Sequence, residues 1–161
     1  MKDNTISQAV GPDSAPLQHE PDAPQHILVV DDDSGIRTFS TRALVGSGYH
    51  VDTAEDGKAG WEALHATRHA PESYALLITD HDMPGLSGLT LVKKLRAARI
   101  ALPVIMATGT LPTEDLFTRY PWLPPAATLV KPYSIEQLLG TVKAVLRMSS
   151  GIRAEIAPPP N

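Results

Sequence analysis

Cysteine is absent from the 161 residues. That excludes disulfides, thiol catalysis and thiolate metal sites, and it leaves the redox compartment unread. An excess of basic charge is missing too. Fourteen Lys and Arg stand against eighteen Asp and Glu, for a formal net charge of −4, so the chain carries no electrostatic footprint for DNA or RNA. No apolar run approaches the ~20 residues that span a bilayer. The first ten residues have neither a basic start nor a long apolar segment, so no signal peptide is read there. Nucleic acid and membrane are therefore not expected as partners, and the expected location is the cytoplasm.

What is present fits one ordinary soluble domain, with 42% apolar and 20% charged residues. Residues 1–25 contain Pro12, Pro16, Pro21 and Pro24 among Asp, Ser, Gln and Gly. Such a segment buries too little apolar surface to offset its ordering entropy, and it reads as a disordered arm. The stretch 148–161, which ends in Pro158-Pro159-Pro160, reads as a disordered tail. A core over 26–147 remains.

Inside that core five apolar runs alternate with helical patterns. The runs are Ile27–Val30, Val51–Ala54, Ala75–Ile78, Val104–Ala107 and Ala126–Val130. Ser34–Val45 carries Ile36, Phe39, Ala43 and Leu44 on one helical face and is stopped by Gly46-Ser47-Gly48. Asp56–Arg68 is a second helix, and Leu89, Val92 and Leu95 mark a third. Thr113–Arg119 is a short fourth, followed by Pro121-Trp122-Leu123-Pro124-Pro125. Ile135, Leu138, Leu139, Val142 and Val145 mark a fifth, opened by the capping box Ser134-x-x-Gln137. Five strands alternating with five helices imply an α/β fold, a parallel sheet covered on both faces.

Four runs end in chemistry. The first leads into Asp31-Asp32, the third into Asp80, the fourth into Thr108 and the fifth into Lys131. Ligands of open α/β sheets bind at the carboxyl ends of the strands, so three carboxylates, a hydroxyl and an ammonium are expected along one edge. Three clustered carboxylates repel unless a cation sits among them, and Mg²⁺ suits hard oxygen ligands. Without Cys or paired His, zinc is disfavoured. An Asp80 carboxylate attacking phosphorus would form an acyl phosphate, with Lys131, Thr108 and the Gly109 N–H facing the phosphoryl oxygens.

Each residue alone has a plainer reading. Asp33 or Ser34 could cap a helix, Asp80 could cap the turn at Pro84-Gly85, and Lys131 could be a solvated lysine. Four coincidences at four strand ends are less probable than one site. His81 beside Asp80 reads as a side chain at the mouth of that site. His65 and His69 read as a solvated helix face.

The stretches Ile27–Asp33, Asp80-His81-Asp82-Met83-Pro84-Gly85-Leu86-Ser87-Gly88, Pro103–Gly109 and Val130-Lys131-Pro132-Tyr133 resemble the receiver domain of bacterial two-component response regulators. The resemblance implies a flavodoxin-like doubly wound (βα)5 fold with strand order 2-1-3-4-5. By position it makes Asp80 the phosphoacceptor. Asp32 and Asp80 would ligate Mg²⁺ by side chain, Asp31 directly or through water, and Asp82 by its backbone carbonyl. Thr108 would be the switch hydroxyl and Lys131 the ion partner, followed by a cis bond to Pro132. Asp82 and Thr110 fall where the family tunes the lifetime of the acyl phosphate.

The implied donor is a sensor histidine kinase or a histidine phosphotransfer protein, and the implied output is contact with a downstream protein. Two departures stand out. Thr128 occupies the place of a customary aromatic, and the short fourth helix gives way to a Pro-rich stretch in which Trp122 and Leu123 could form a partner-reading patch or simply pack. No output domain follows residue 148, so a stand-alone switch is expected, with a fragment of a hybrid kinase as the other possibility. A haloacid-dehalogenase-type phosphatase also uses Asp, Mg²⁺, Thr and Lys. It wants Thr where Pro84 stands, however, and an acidic pair after Lys131 that is missing. A receiver-like scaffold without phosphorylation is the third reading, and the intact Asp31, Asp32, Asp80, Thr108 and Lys131 set argues against it.

Overall fold

The computed structural model describes residues 24–69, 73–109 and 125–156. Its elements are β1 His26–Val30, α1 Ser34–Gly46, β2 His50–Ala54, α2 Gly57–Thr67, β3 Leu76–Asp80, α3 Gly88–Ala97, β4 Val104–Thr108, β5 Ala127–Val130 and α4 Ile135–Ile156. The strands form one parallel sheet of order β2-β1-β3-β4-β5. The short fourth helix expected over Thr113–Arg119, together with Thr110, Trp122 and Leu123, lies outside the described residues, as do residues 1–23.

The strands are short apolar runs because both faces of the sheet are covered. Alternate residues feed opposite cores. Ile27, Val29, Leu76, Ile78, Ile105 and Ala107 pack with Leu44, Leu138, Val142 and Val145 of α1 and α4. Leu28, Val30, Leu77, Val104 and Met106 pack with Leu64, Leu91, Val92 and Leu95 of α2 and α3. β3 and β4 are buried throughout, whereas the edge strand β2 is mostly exposed.

The helix starts are capped by side chains that satisfy N–H groups left without partners in the first turn. Asp33 accepts from Gly35 and Ile36, Asp56 from Ala59, and Ser87 from Thr90. The capping box at the start of α4 forms as its sequence indicates. Gln137 N–H donates to Ser134 Oγ at 3.2 Å, and Ser134 N–H donates to Gln137 Oε1 at 2.8 Å. The α1 helix ends at Gly46, with Gly48 at φ +90° in the left-handed region that favours glycine.

One expectation fails here. The tail anticipated from residue 148 is helical as far as Ile156. Ser149 and Ser150 resemble a stop signal, yet their hydroxyls donate back to the carbonyls of Val145 and Leu146 at 3.0 and 2.9 Å. Bonding to the preceding turn lets serine continue a helix, and the apolar stripe through Val145 and Leu146 anchors it.

At the end of the sheet remote from Asp80, Tyr74 Oη donates to Asp52 Oδ2 at 2.7 Å, and His26 Nε2 lies 3.1 Å from the same oxygen. Burial, reinforced by Asp52, raises the phenol's pKa well above its usual 10.0. Folding therefore favours the protonated phenol, and that stabilisation is complete below about pH 10 and lost as pH rises beyond it. We expect wild-type denaturation midpoints to fall above pH 10 more steeply than those of Tyr74→Phe, as measured by urea titration across pH 8–11.

A tighter constraint sits beside β3. A Cβ on Gly88 would come within 2.0 Å of the Asp80 carbonyl oxygen, while Gly88 N–H donates to His81 O at 3.1 Å. Gly88→Ala must displace backbone on one side. The expected loss is about 1–3 kcal/mol, as for overpacking a rigid interior, and denaturant unfolding reads it directly.

Candidate phosphoryl-transfer site

The strand registers set the site. Val30 pairs with Thr79, Asp80 with Ala107, and Thr108 with Val130, so the residues at these strand ends share one edge. Asp31 N–H extends the ladder to Ala54 O at 3.2 Å, and Lys131 N–H reaches Thr108 O at 2.8 Å. Asp31, Asp80 and Thr108 are all buried, at 2, 7 and 2% exposure, which is unusual for two carboxylates.

Lys131 accounts for their tolerance. Its Nζ lies 2.8 Å from Asp31 Oδ2 and 3.2 Å from Asp80 Oδ1. Burial alone would lower the ammonium's pKa, but the Asp31 hydrogen bond and the charges of Asp31 and Asp80 outweigh it and raise it. Asp80 is held above the usual carboxyl value chiefly by burial, with Asp31 adding to the effect. Lys131 and a backbone hydrogen bond from Asp82 oppose it.

Oxygens of Asp31, Asp32 and Asp80 lie within 4.8 Å of one another, the one such acidic or His cluster among the described residues. Three hard oxygen donors, with neither thiolate nor imidazole among them, fit Mg²⁺ by donor chemistry. Asp31 is already engaged on both oxygens, since its Oδ1 accepts Asp33 N–H at 2.9 Å. Asp32 is exposed and projects from the loop between β1 and α1. The carboxylate of Asp82 stays outside this cluster and is 77% exposed, with its Oδ1 2.9 Å from His81 Nδ1.

The Lys131–Pro132 bond is cis, as the resemblance implies. His65 and His69 are exposed. The His65 ring meets that of Trp61 in a tilted contact at 5.6 Å, and His69 Nε2 accepts from Arg68 Nε.

Asp33 caps α1, one of the two residues the sequence offered for that place. Three features near the site escaped the reading of the sequence. Asp33 also ties its own N–H to Asp31. Tyr133 Oη lies 3.2 Å from the fully buried Ser40 Oγ, and its ring sits 6.1 Å from that of Phe39, fastening the segment after Lys131 to α1. Burial raises its phenol pKa, and the charges of Asp31, Lys131 and Asp80 all reach it. Finally, Arg37 NH1 donates to the carbonyls of Asp31 and Asp32 at 2.6 and 3.1 Å. A Ser six residues into a helix facing a Tyr ninety-three positions later leaves no local signal. Arg37, one turn inside α1, is within local reach of the acid pair and could have been found.

Residues 27–143 match the response regulator receiver domain family, and the chain belongs to it. The transcriptional regulatory protein TctD of Salmonella typhimurium is 35% identical over 127 residues, 78% of this chain and 53% of its own. The response regulator MprA of Mycolicibacterium vanbaalenii is 33% identical over 129 residues, 79% of this chain and 52% of its own. The chain thus spans about half the length of the curated relatives it matches.

Among solved structures, the chemotaxis protein CheY4 of Vibrio cholerae has a TM-score of 0.66 at 30% identity, covering 76% of this chain and 99% of its own. A CheY-like receiver domain protein from Methanospirillum hungatei has 0.68 at 26%, covering 80% and 98%. The sheet order and these matches establish the flavodoxin-like fold and a receiver of two-component signal transduction. They do not favour the phosphatase alternative.

The raised carboxyl pKa of Asp80 has a measurable sign. Its contribution to stability is present below the unfolded carboxyl value and is lost as pH rises through the folded one. In metal-free buffer at pH 7, Asp80→Asn is expected to melt above wild type, with the gap closing towards pH 4. Thermal unfolding of the two proteins across that range is the check.

Proposed function

We propose that this receiver is a phosphorylation switch in which Asp80 is the phosphoacceptor. The observation that carries the reading is the pairing of one part-buried ammonium, Lys131 Nζ, with both Asp31 and Asp80 at 2.8 and 3.2 Å. An Asp80 oxygen attacks the phosphorus of a phosphohistidine on a sensor histidine kinase or a histidine phosphotransfer protein. The phosphorus–nitrogen bond breaks as the acyl phosphate forms. Lys131 supplies fixed positive charge where phosphoryl oxygens accumulate negative charge, and Thr108 supplies a hydroxyl at the neighbouring strand end.

Mg²⁺ would be held by the carboxylates of Asp32 and Asp80, by Asp31 directly or through water, and by the Asp82 carbonyl. When bound, it offsets charge on the phosphoryl oxygens. The chain's own catalysis is limited to this transfer and to loss of its own phosphoryl group.

Signalling follows from a two-state equilibrium. Contacts from Thr108 and Lys131 to the phosphoryl group exist in one arrangement only, so phosphorylation shifts the population towards it. The output is contact with a downstream protein in the cytoplasm. Thr128 lies in β5 opposite Met106, where an aromatic rotamer change is unavailable, so the change is passed on by other groups.

The test is intact-protein mass after incubation with acetyl phosphate, with and without Mg²⁺. Wild type is expected to gain one phosphoryl group only with Mg²⁺. Asp80→Asn is expected to gain none. A gain that survives in Asp80→Asn would refute the assignment of Asp80.

A further inference from the structure

Cations are disfavoured in the first turn of a helix, where the backbone dipole is positive. Arg37 nevertheless stands in the first turn of α1, its own N–H donating to Asp33 O at 3.0 Å. Side chains of a helix lean towards its N-terminus, which carries this guanidinium back over the loop joining β1 to α1. There NH1 donates to Asp31 O at 2.6 Å and to Asp32 O at 3.1 Å. It forms no ion pair with a carboxylate among the described residues. One of its nitrogens, NH1, serves two successive backbone carbonyls.

The consequence falls on Asp32. Asp31 is fixed through both of its side-chain oxygens, by Asp33 N–H and by Lys131. Asp32 is exposed, and its carboxylate has no hydrogen-bond partner among the described residues. With no side-chain partner to hold it, its approach to within 4.8 Å of Asp31 and Asp80 depends on where the backbone of its loop places the Cα–Cβ bond. The groups that hold that backbone are the Asp33 turn on one side and Arg37 NH1 on the other.

We propose that Arg37 is a positioning residue for the divalent cation: by clamping the Asp31 and Asp32 carbonyls it aims the Asp32 carboxylate at the cluster shared with Asp31 and Asp80. This rests on the reading that those three carboxylates hold Mg²⁺. Partners outside the ligand shell orient the ligands, and their loss typically lowers metal affinity about 10–100-fold. Charge alone is not the requirement. A lysine keeps the charge but replaces the guanidinium nitrogen, whose two N–H groups lie in one rigid plane and face both carbonyls, with a freely rotating ammonium on a different stem.

The experiment is titration of the full chain with Mn²⁺ alone, read by its electron paramagnetic resonance signal, for wild type, Arg37→Gln, Arg37→Lys and Asp32→Ala. Thermal melts in metal-free buffer establish that each variant is folded at the assay temperature. Arg37→Gln is expected to bind about 10-fold more weakly, Arg37→Lys to remain well below wild type, and Asp32→Ala to lose most binding. Phosphorylation of Arg37→Lys by acetyl phosphate is expected to recover to the wild-type rate at saturating Mg²⁺, which a general loosening of the domain would not allow.

Wild-type affinity in Arg37→Gln overturns the role of Arg37 while leaving the cation site intact. Wild-type affinity in Arg37→Lys alone reduces the role to charge and overturns the clamp. Failure of wild type itself to bind Mn²⁺, or binding undiminished in Asp32→Ala, overturns the cation reading and this inference with it. Should Arg37→Gln prove unfolded, the Arg37→Lys affinity decides.

Discussion

The structure depends on holding carboxylates together where water cannot shield them. Asp31 and Asp80 are almost wholly buried at adjacent strand ends, and Asp32 projects beside them. Desolvation and mutual repulsion both oppose their ionised forms, and among the described residues Lys131 is the one cation placed between two of them. Removing one partner of such an arrangement leaves an uncompensated buried charge, a far larger penalty than the net worth of an intact pair. The electrostatics of this edge are therefore already poised, with one ammonium shared between two carboxylates.

That tension is contained by what surrounds it. The parallel ladder fixes where the strand ends lie, and the Lys131-to-Thr108 backbone bond locks the last end to its neighbour. Gly88 brings the loop after β3 against the Asp80 carbonyl at a distance no larger residue permits. Tyr133 and Ser40 tie the segment after Lys131 to α1, and Asp33 and Arg37 stitch the acidic loop to the same helix. α1 thus touches both the acidic loop and the lysine-bearing segment. It is the element best placed to feel a change at the site, particularly with Thr128 in the position where many receivers carry an aromatic.

Particular residues show how far local pattern could be trusted. The five strands and the helices α1, α2 and α3 begin and end within a residue or two of their apolar runs, and α4 begins where its run does, because full burial of a parallel sheet imposes continuous apolar stretches and capping side chains announce helix starts. The Ser134–Gln137 box was legible because both halves of it lie within one turn. The continuation of α4 through Ser149 and Ser150 was not. A serine is a stop signal only when its hydroxyl competes with the helix, and here each bonds to its own preceding turn. His81 and Asp82 gave no sign of pairing with each other, since neighbours in sequence point apart unless a turn brings them round.

The sequence by itself determined that four strand ends carry Asp, Thr and Lys, because strand periodicity and the parallel α/β rule are local and topological facts. It determined the candidate site residues and the class of chemistry they support. Only the tertiary structure decided that one ammonium reaches two carboxylates, that Asp31 is engaged on both oxygens while Asp32 is not, and that Ser40 meets Tyr133. Those outcomes rest on distances of a few ångströms between elements far apart in the chain. Such distances emerge from packing two helical layers onto one sheet, and no periodicity encodes them.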